Sequence, residues 1–209
     1  MLVGHLSVGL IAKRVEPRIS LGTWMLAVLL ADLIFFPLLI ARVEHYHDLT
    51  VDVPYSHSLL MNAIWAALFA AGYFLLRRYP RGAWLLFGAV LSHWVLDVIS
   101  HRPDMQLTPG VNTVWGLGLW NSIPATLIVE GGFWLLAIVI YVRAAAPRRL
   151  LGVFTFWIGA ALLTLVWYGN IRGGVDPDPV RAGVGGLIFF SLVVAWGYWI
   201  NRLARSSSS

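Results

Sequence analysis

Six stretches of mostly apolar residues dominate the chain: 21–41, 57–76, 82–100, 121–142, 150–169 and 182–201. A helix rises 1.5 Å per residue, so ~20 such residues cross the ~30 Å hydrocarbon core of a bilayer. The breaks carry loop chemistry: RRYPRG at 77–82, HRPDMQLTPG at 101–110, RAAAPRR at 143–149 and NIRGGVDPDP at 170–179. Only 12% of the residues are charged and 59% are hydrophobic. A soluble domain carries about 25% charged residues, so this chain cannot cover itself with a water-compatible surface. The pattern predicts an all-α, polytopic membrane helix bundle. Residues 1–205 form one transmembrane domain, with the chemistry-bearing part over 1–130 and accessory helices over 150–201. The Ser206–Ser209 run reads as a disordered tail. The chain has no cysteine, which excludes disulfides, thiolate metal sites and thiol nucleophiles.

Charge alternates between the connections. Segments 1–20, 77–81, 143–149 and the C-terminus hold Lys13, Arg14, Arg18, Arg77, Arg78, Arg81, Arg143, Arg148, Arg149, Arg202 and Arg205. The opposite set holds Arg42, Arg102, Arg172 and Arg181. Positive loops stay inside, which predicts cytoplasmic termini. The net charge of +5 then marks orientation and contact with membrane lipids rather than a nucleic-acid groove. The opening MLVGHLSVGLIA is too short to span, and its positive residues follow the apolar run, unlike a signal peptide. Two forms remain open: a helix lying in the interface, or a half-helix that enters the membrane and hairpins at Pro17 into the first span.

All six histidines lie within the first 101 residues, and Asp32, Asp97 and Glu130 sit inside apolar spans. A charge at the bilayer centre costs ~3 kcal/mol even on the lenient insertion scale, so such groups are paired, solvated or metal-bound. Asp32 and His93 each lie at a depth of roughly 16 Å from the inner starts of their spans. Glu130 lies roughly 14 Å in from the outer end of its span, and His5 of a half-helix reaches about 12 Å. His57 opens the second span, so all these groups share one layer. His93, Asp97 and His101 recur every four residues and so share a helix face, a way for a helix to grip a metal. The plainer readings are a His93–Asp97 bond that locks two helices, a helix-start His57 satisfied by backbone, and His45 and His47 in a solvated outer loop. Ser122, Thr126 and Glu130 form one polar stripe, serving either acid–base chemistry or helix pairing. Imidazole and carboxylate without thiolate suit zinc, with manganese or iron as alternatives. Five ligands exceed the needs of one tetrahedral zinc and leave room for two ions sharing a carboxylate.

At these residues the chain resembles the YdjM-like, LexA-binding, inner-membrane metal-dependent hydrolases. That family shows an early Gly-His, then motifs of the types LPDIDH, HRGxTHS and SHxxxD. Here they stand as Gly4-His5, LADL with Asp32, YSHS with His57, and SHWVLD with His93 and Asp97. The match covers roughly residues 1–100. Ile34 and Phe36 replace the second acid and the histidine of the acidic motif, Asp52 replaces the first histidine of HRGxTHS, and Val53-Pro54 replaces Arg-Gly. The ligand order is also similar to the zinc-dependent phospholipase C and single-strand nuclease superfamily, an analogy that implies phosphoester hydrolysis.

Together these lead to the expectation of a metal-dependent hydrolase in a bacterial or archaeal cytoplasmic membrane. It would act on a phosphoester or related bond of a lipid or amphiphile. The expected ligands are His5, Asp32, His57, His93 and Asp97, with Asp32 or Asp97 bridging and a metal-bound hydroxide as nucleophile. Asp52, His101, Asp104 or Glu130 would serve as the acid, and His101 and Arg102 would hold a substrate phosphate. The site would open toward the outer leaflet, with Trp115 and Trp120 at its mouth. The rival classes are an ion- or proton-coupled transporter using the midplane acids, an intramembrane amidase, and a structural protein whose polar stripe only pairs helices.

Overall fold

The computed structural model describes residues 1–47, 50–111, 113–147, 149–173 and 176–205. Asp48, Arg148 and the Ser206–Ser209 tail lie outside the described residues, as do the side chains of His47 and Arg205. The described residues form eight helices and two short β-ribbons. Five helices are long and apolar enough to cross a bilayer: α4 (Leu59–Arg77), α5 (Pro80–Ser100), α6 (Ile123–Ala144), α7 (Leu150–Arg172) and α8 (Pro179–Arg205). A bent pair of shorter helices is together long and apolar enough for a sixth. Helices α2 (Leu21–Val28) and α3 (Leu30–Ile40) meet at Leu29 with a bend of 53°. The sequence carries no Gly or Pro at the break, so the pattern of residues 21–41 reads as one straight span.

Helix α1 (Leu2–Val15) is packed inside the bundle against α6, α2 and α5 rather than lying on its surface. Val3, Leu6 and Leu10 are completely buried. Of the two forms open to this segment, the inserted half-helix is the one adopted. Lys13 fixes the turn that follows, because its ammonium donates to the carbonyls of Pro17 at 2.6 Å and Ile19 at 2.8 Å. Ser20 then caps α2, its hydroxyl accepting from the Thr23 amide at 3.0 Å. Helix α8 closes the bundle against α2 and α3. The crossing of α2 and α8 needs glycine on both sides: a Cβ at Gly197 would stand 3.0 Å from the Gly22 Cα. Small residues allow such backbone approach where no hydrophobic effect draws helices together.

The exterior is apolar. Phe154, Ile158, Leu162 and Leu165 of α7 are all more than half exposed, as a lipid-facing surface requires. The loops contain two ribbons that alternation did not reveal: β1 (His45–His47) pairs with β2 (Thr50–Asp52), and β3 (Met105–Gln106) pairs with β4 (Val114–Trp115), both antiparallel. The first ribbon is followed directly by the turn before α4 that carries His57.

Candidate metal centre

Five side chains from four segments meet in one buried cluster. Helix α1 supplies His5, the first turn of α3 supplies Asp32, and the turn before α4 supplies His57. One face of α5 supplies His93 and Asp97. Asp97 is the hub. Its Oδ1 lies 3.0 Å from His5 Nε2, and its Oδ2 lies 3.1 Å from His93 Nε2 and 3.9 Å from His57 Nε2. Asp32 approaches from the other side, 3.6 Å from His57 Nε2 and 3.8 Å from His93 Nε2. The rings of His5 and His93 stack with centroids 3.7 Å apart. Two overlapping ligand sets result, His5–Asp32–His93 and His57–His93–Asp97, with one ligand atom from each residue and all atoms of a set within 4.8 Å of one another. The cluster can therefore hold a metal ion.

The surroundings of the rings favour that use. His93 Nδ1 lies 2.7 Å from the Val28 carbonyl, an acceptor only, so Nδ1 carries a proton and Nε2 is the nitrogen left to face the cluster. Val28 is the last residue before the bend, which turns its carbonyl toward α5. His57 is set by a longer chain. Ser56 Oγ donates to Glu44 Oε2 at 2.6 Å and lies 2.7 Å from His57 Nδ1, so it accepts the ring proton. Glu44 is itself buried, and its Oε1 accepts the amides of Tyr55 and Ser56, each at 2.8 Å. Two imidazoles are thus anchored through Nδ1 while Nε2 faces carboxylate, the arrangement by which proteins orient metal ligands. His93 Nε2 is buried and faces Asp97 Oδ2 at 3.1 Å without well-formed hydrogen-bond geometry, a position a cation between the two would satisfy. Because Nδ1 of His93 is taken, this ring offers one nitrogen only. The two ligand sets share that nitrogen, so they serve one ion directly, and a second ion needs a bridging carboxylate.

The Met1 α-amino group also reaches the cluster, donating to Asp97 Oδ1 at 2.9 Å and lying 3.1 Å from His5 Nε2. Glu130 stands beside it on α6. Its Oε1 accepts the Gly4 amide at 3.2 Å, while Oε2 is buried without a hydrogen-bond partner. The cluster is closed on most sides: His5, His93 and Asp97 are at most 2% exposed, whereas the Asp32 side chain is 18% exposed and forms its open edge.

The remaining candidates are placed elsewhere. Asp52 is exposed on β2 and accepts from Gln106 Nε2 at 3.4 Å. Helix α5 ends at Ser100, so His101 leaves the face of His93 and Asp97. Its backbone is extended, and its ring lies against Trp120, with Nδ1 3.2 Å from Asp104. Arg102 Nε donates to Asn121 at 2.7 Å. Among the described contacts none ties Asp52, His101 or Arg102 to the five-residue cluster. His45 is exposed. Sequence reasoning missed Glu44, Ser56 and the Val28 carbonyl. Only Ser56 left a trace, as the neighbour of His57 in YSHS. Set against known proteins, the chain matches no family model, no curated protein and no solved structure.

Proposed function

We propose that this protein is a membrane-embedded, divalent-metal-dependent hydrolase that cleaves a phosphoester or related bond in a lipid or other amphiphile. The observation that carries the reading is the pair of anchored imidazoles. His57 and His93 each commit Nδ1 outside the cluster and turn Nε2 toward Asp32 and Asp97, inside a bundle with an apolar exterior. The donor set suits zinc first, then manganese or iron. A divalent ion held there would polarise the scissile group and supply a nucleophile at neutral pH. The chain's own residues orient and protonate. Asp32, at the open edge, meets the substrate first. Glu130, with a buried oxygen to spare and a bond to the backbone beside His5, donates a proton to the leaving group. The resemblance of residues 1–100 to the YdjM-like hydrolases supports the same chemistry.

Metal analysis of the purified full chain, paired with release of headgroup from short-chain phospholipids, tests this. About one to two ions per chain are expected. Turnover should stop on chelation, and both metal and turnover should be lost in His93→Ala and Asp97→Ala. An ion-pair network of Asp97, His5 and the Met1 ammonium would instead give protein without metal, whose melting temperature chelators leave unchanged, and that result overturns the proposal.

A further inference from the structure

A second polar site lies at the other end of α1, whose last residue is roughly 15 Å along the helix from His5. There the α1–α2 turn, the α4–α5 turn and the last turns of α8 surround a cavity of about 450 Å3. That falls within the ~300–1,000 Å3 of small-molecule sites. Three guanidinium groups from three separate elements line its rim, Arg18, Arg77 and Arg202, each on an exposed residue. None of the described residues lining it is acidic. Glu16, the neighbouring carboxylate, is occupied by the Tyr79 hydroxyl, the Arg18 amide and Arg81. The wall is otherwise rich in hydroxyls. Thr23 Oγ1 lies 2.7 Å from Ser20 Oγ and 3.3 Å from the Tyr198 hydroxyl. Buried Asn201 accepts the Leu21 amide through Oδ1 at 3.3 Å, which leaves its NH2 as the group it can offer the cavity. Arg18 is steadied by stacking 5.5 Å over the Tyr79 ring.

Like charges gathered around an open space repel one another; Glu16 answers Arg18 in part, and no acid lies in the wall beside Arg77 and Arg202, so the group calls for a further anion. Guanidinium forks match phosphate oxygens in pairs, and hydroxyls and an amide complete the donor set. We infer that this cavity binds a phosphate-bearing anion at the arginine-rich end of the bundle, either an anionic phospholipid headgroup or free phosphate. The site is separate from the His/Asp cluster and stands whether or not that cluster holds metal.

The test uses detergent-purified full chain, with retention of phosphatidylglycerol against phosphatidylcholine read by native mass spectrometry. Inorganic phosphate is added alone in a thermal-shift arm. Arg77→Gln/Arg202→Gln removes two of the cavity's charges. Arg143→Gln/Arg149→Gln removes the same charge from equally exposed positions around the α6–α7 connection, outside this cavity. Phosphatidylglycerol affinity should fall roughly tenfold or more in the first variant and stay within about twofold in the second. Protection of the wild-type chain by inorganic phosphate identifies a free-phosphate site, and protection by phosphatidylglycerol alone identifies a headgroup site; both support the inference. Equal weakening in the two variants means diffuse surface charge and overturns it, as does unchanged affinity in Arg77→Gln/Arg202→Gln. If that variant does not fold, Arg18→Gln replaces it and is read in the same way.

Discussion

Glu44 reaches His57 only through the Ser56 hydroxyl, so its effect on a metal must pass through the orientation of that ring. Ser56→Ala breaks the chain at its middle while leaving Glu44 its two backbone amides. Metal affinity should fall about 10- to 100-fold with helix content unchanged, as measured by competition with a chromogenic chelator. An unaltered affinity would make the Glu44–Ser56 pair a loop clasp and nothing more. Glu130→Gln is the complementary change. The amide oxygen still accepts from Gly4, so fold and metal content should persist while turnover drops ~10²–10⁴-fold, the range of acid–base work. Much of the cluster was legible because its members break a rule: acids and histidines in apolar spans stand out, and the four-residue step from His93 to Asp97 places them on one face. Glu44 obeys the rule. It sits in a loop that looks solvated, and only the return of the chain through the β1–β2 ribbon buries it.

Among the elements, the six spans were readable to within a few residues, since length and apolarity alone define a crossing. The break at Leu29 was not, because neither Gly nor Pro marks it and Pro37 lies further along, within α3. The packing around it is uneven: α8 lies along both halves of the span, whereas α5 packs chiefly on α2. The α1–α2 turn is held to the α4–α5 turn by Glu16, whose carboxyl is kept below its ordinary range chiefly by the hydrogen bond from the Tyr79 hydroxyl, with Arg81 and Arg18 assisting. A lowered carboxyl pKa contributes stability above the unfolded value and loses it as pH falls through the folded one. The difference in melting temperature between wild type and Tyr79→Phe should therefore be constant above about pH 4.5 and shrink below it. A difference that grows in acid would assign the contact to packing of the ring.

For the whole molecule, the alternation of arginines predicts which end faces the cytoplasm, and the lack of native cysteine makes that prediction simple to check. In intact cells, cysteines introduced at 52 and 104 should react with an impermeant maleimide, and cysteines at 18 and 77 only after permeabilisation. The reverse pattern would turn the open edge at Asp32 toward the cytoplasm. The spread of the cluster along the chain also bears on biogenesis. Asp97 and His5 are 92 positions apart, and Asp32 lies between them. During synthesis the first span leaves the ribosome with only His5 made ahead of its acid, and His57 and then His93 follow only as later spans are made. An incompletely partnered carboxylate in lipid costs up to ~3 kcal/mol, which favours keeping the early helices beside the insertion machinery until α5 arrives. The residues that gather at the centre of the finished protein would then also act as a retention signal for the nascent one.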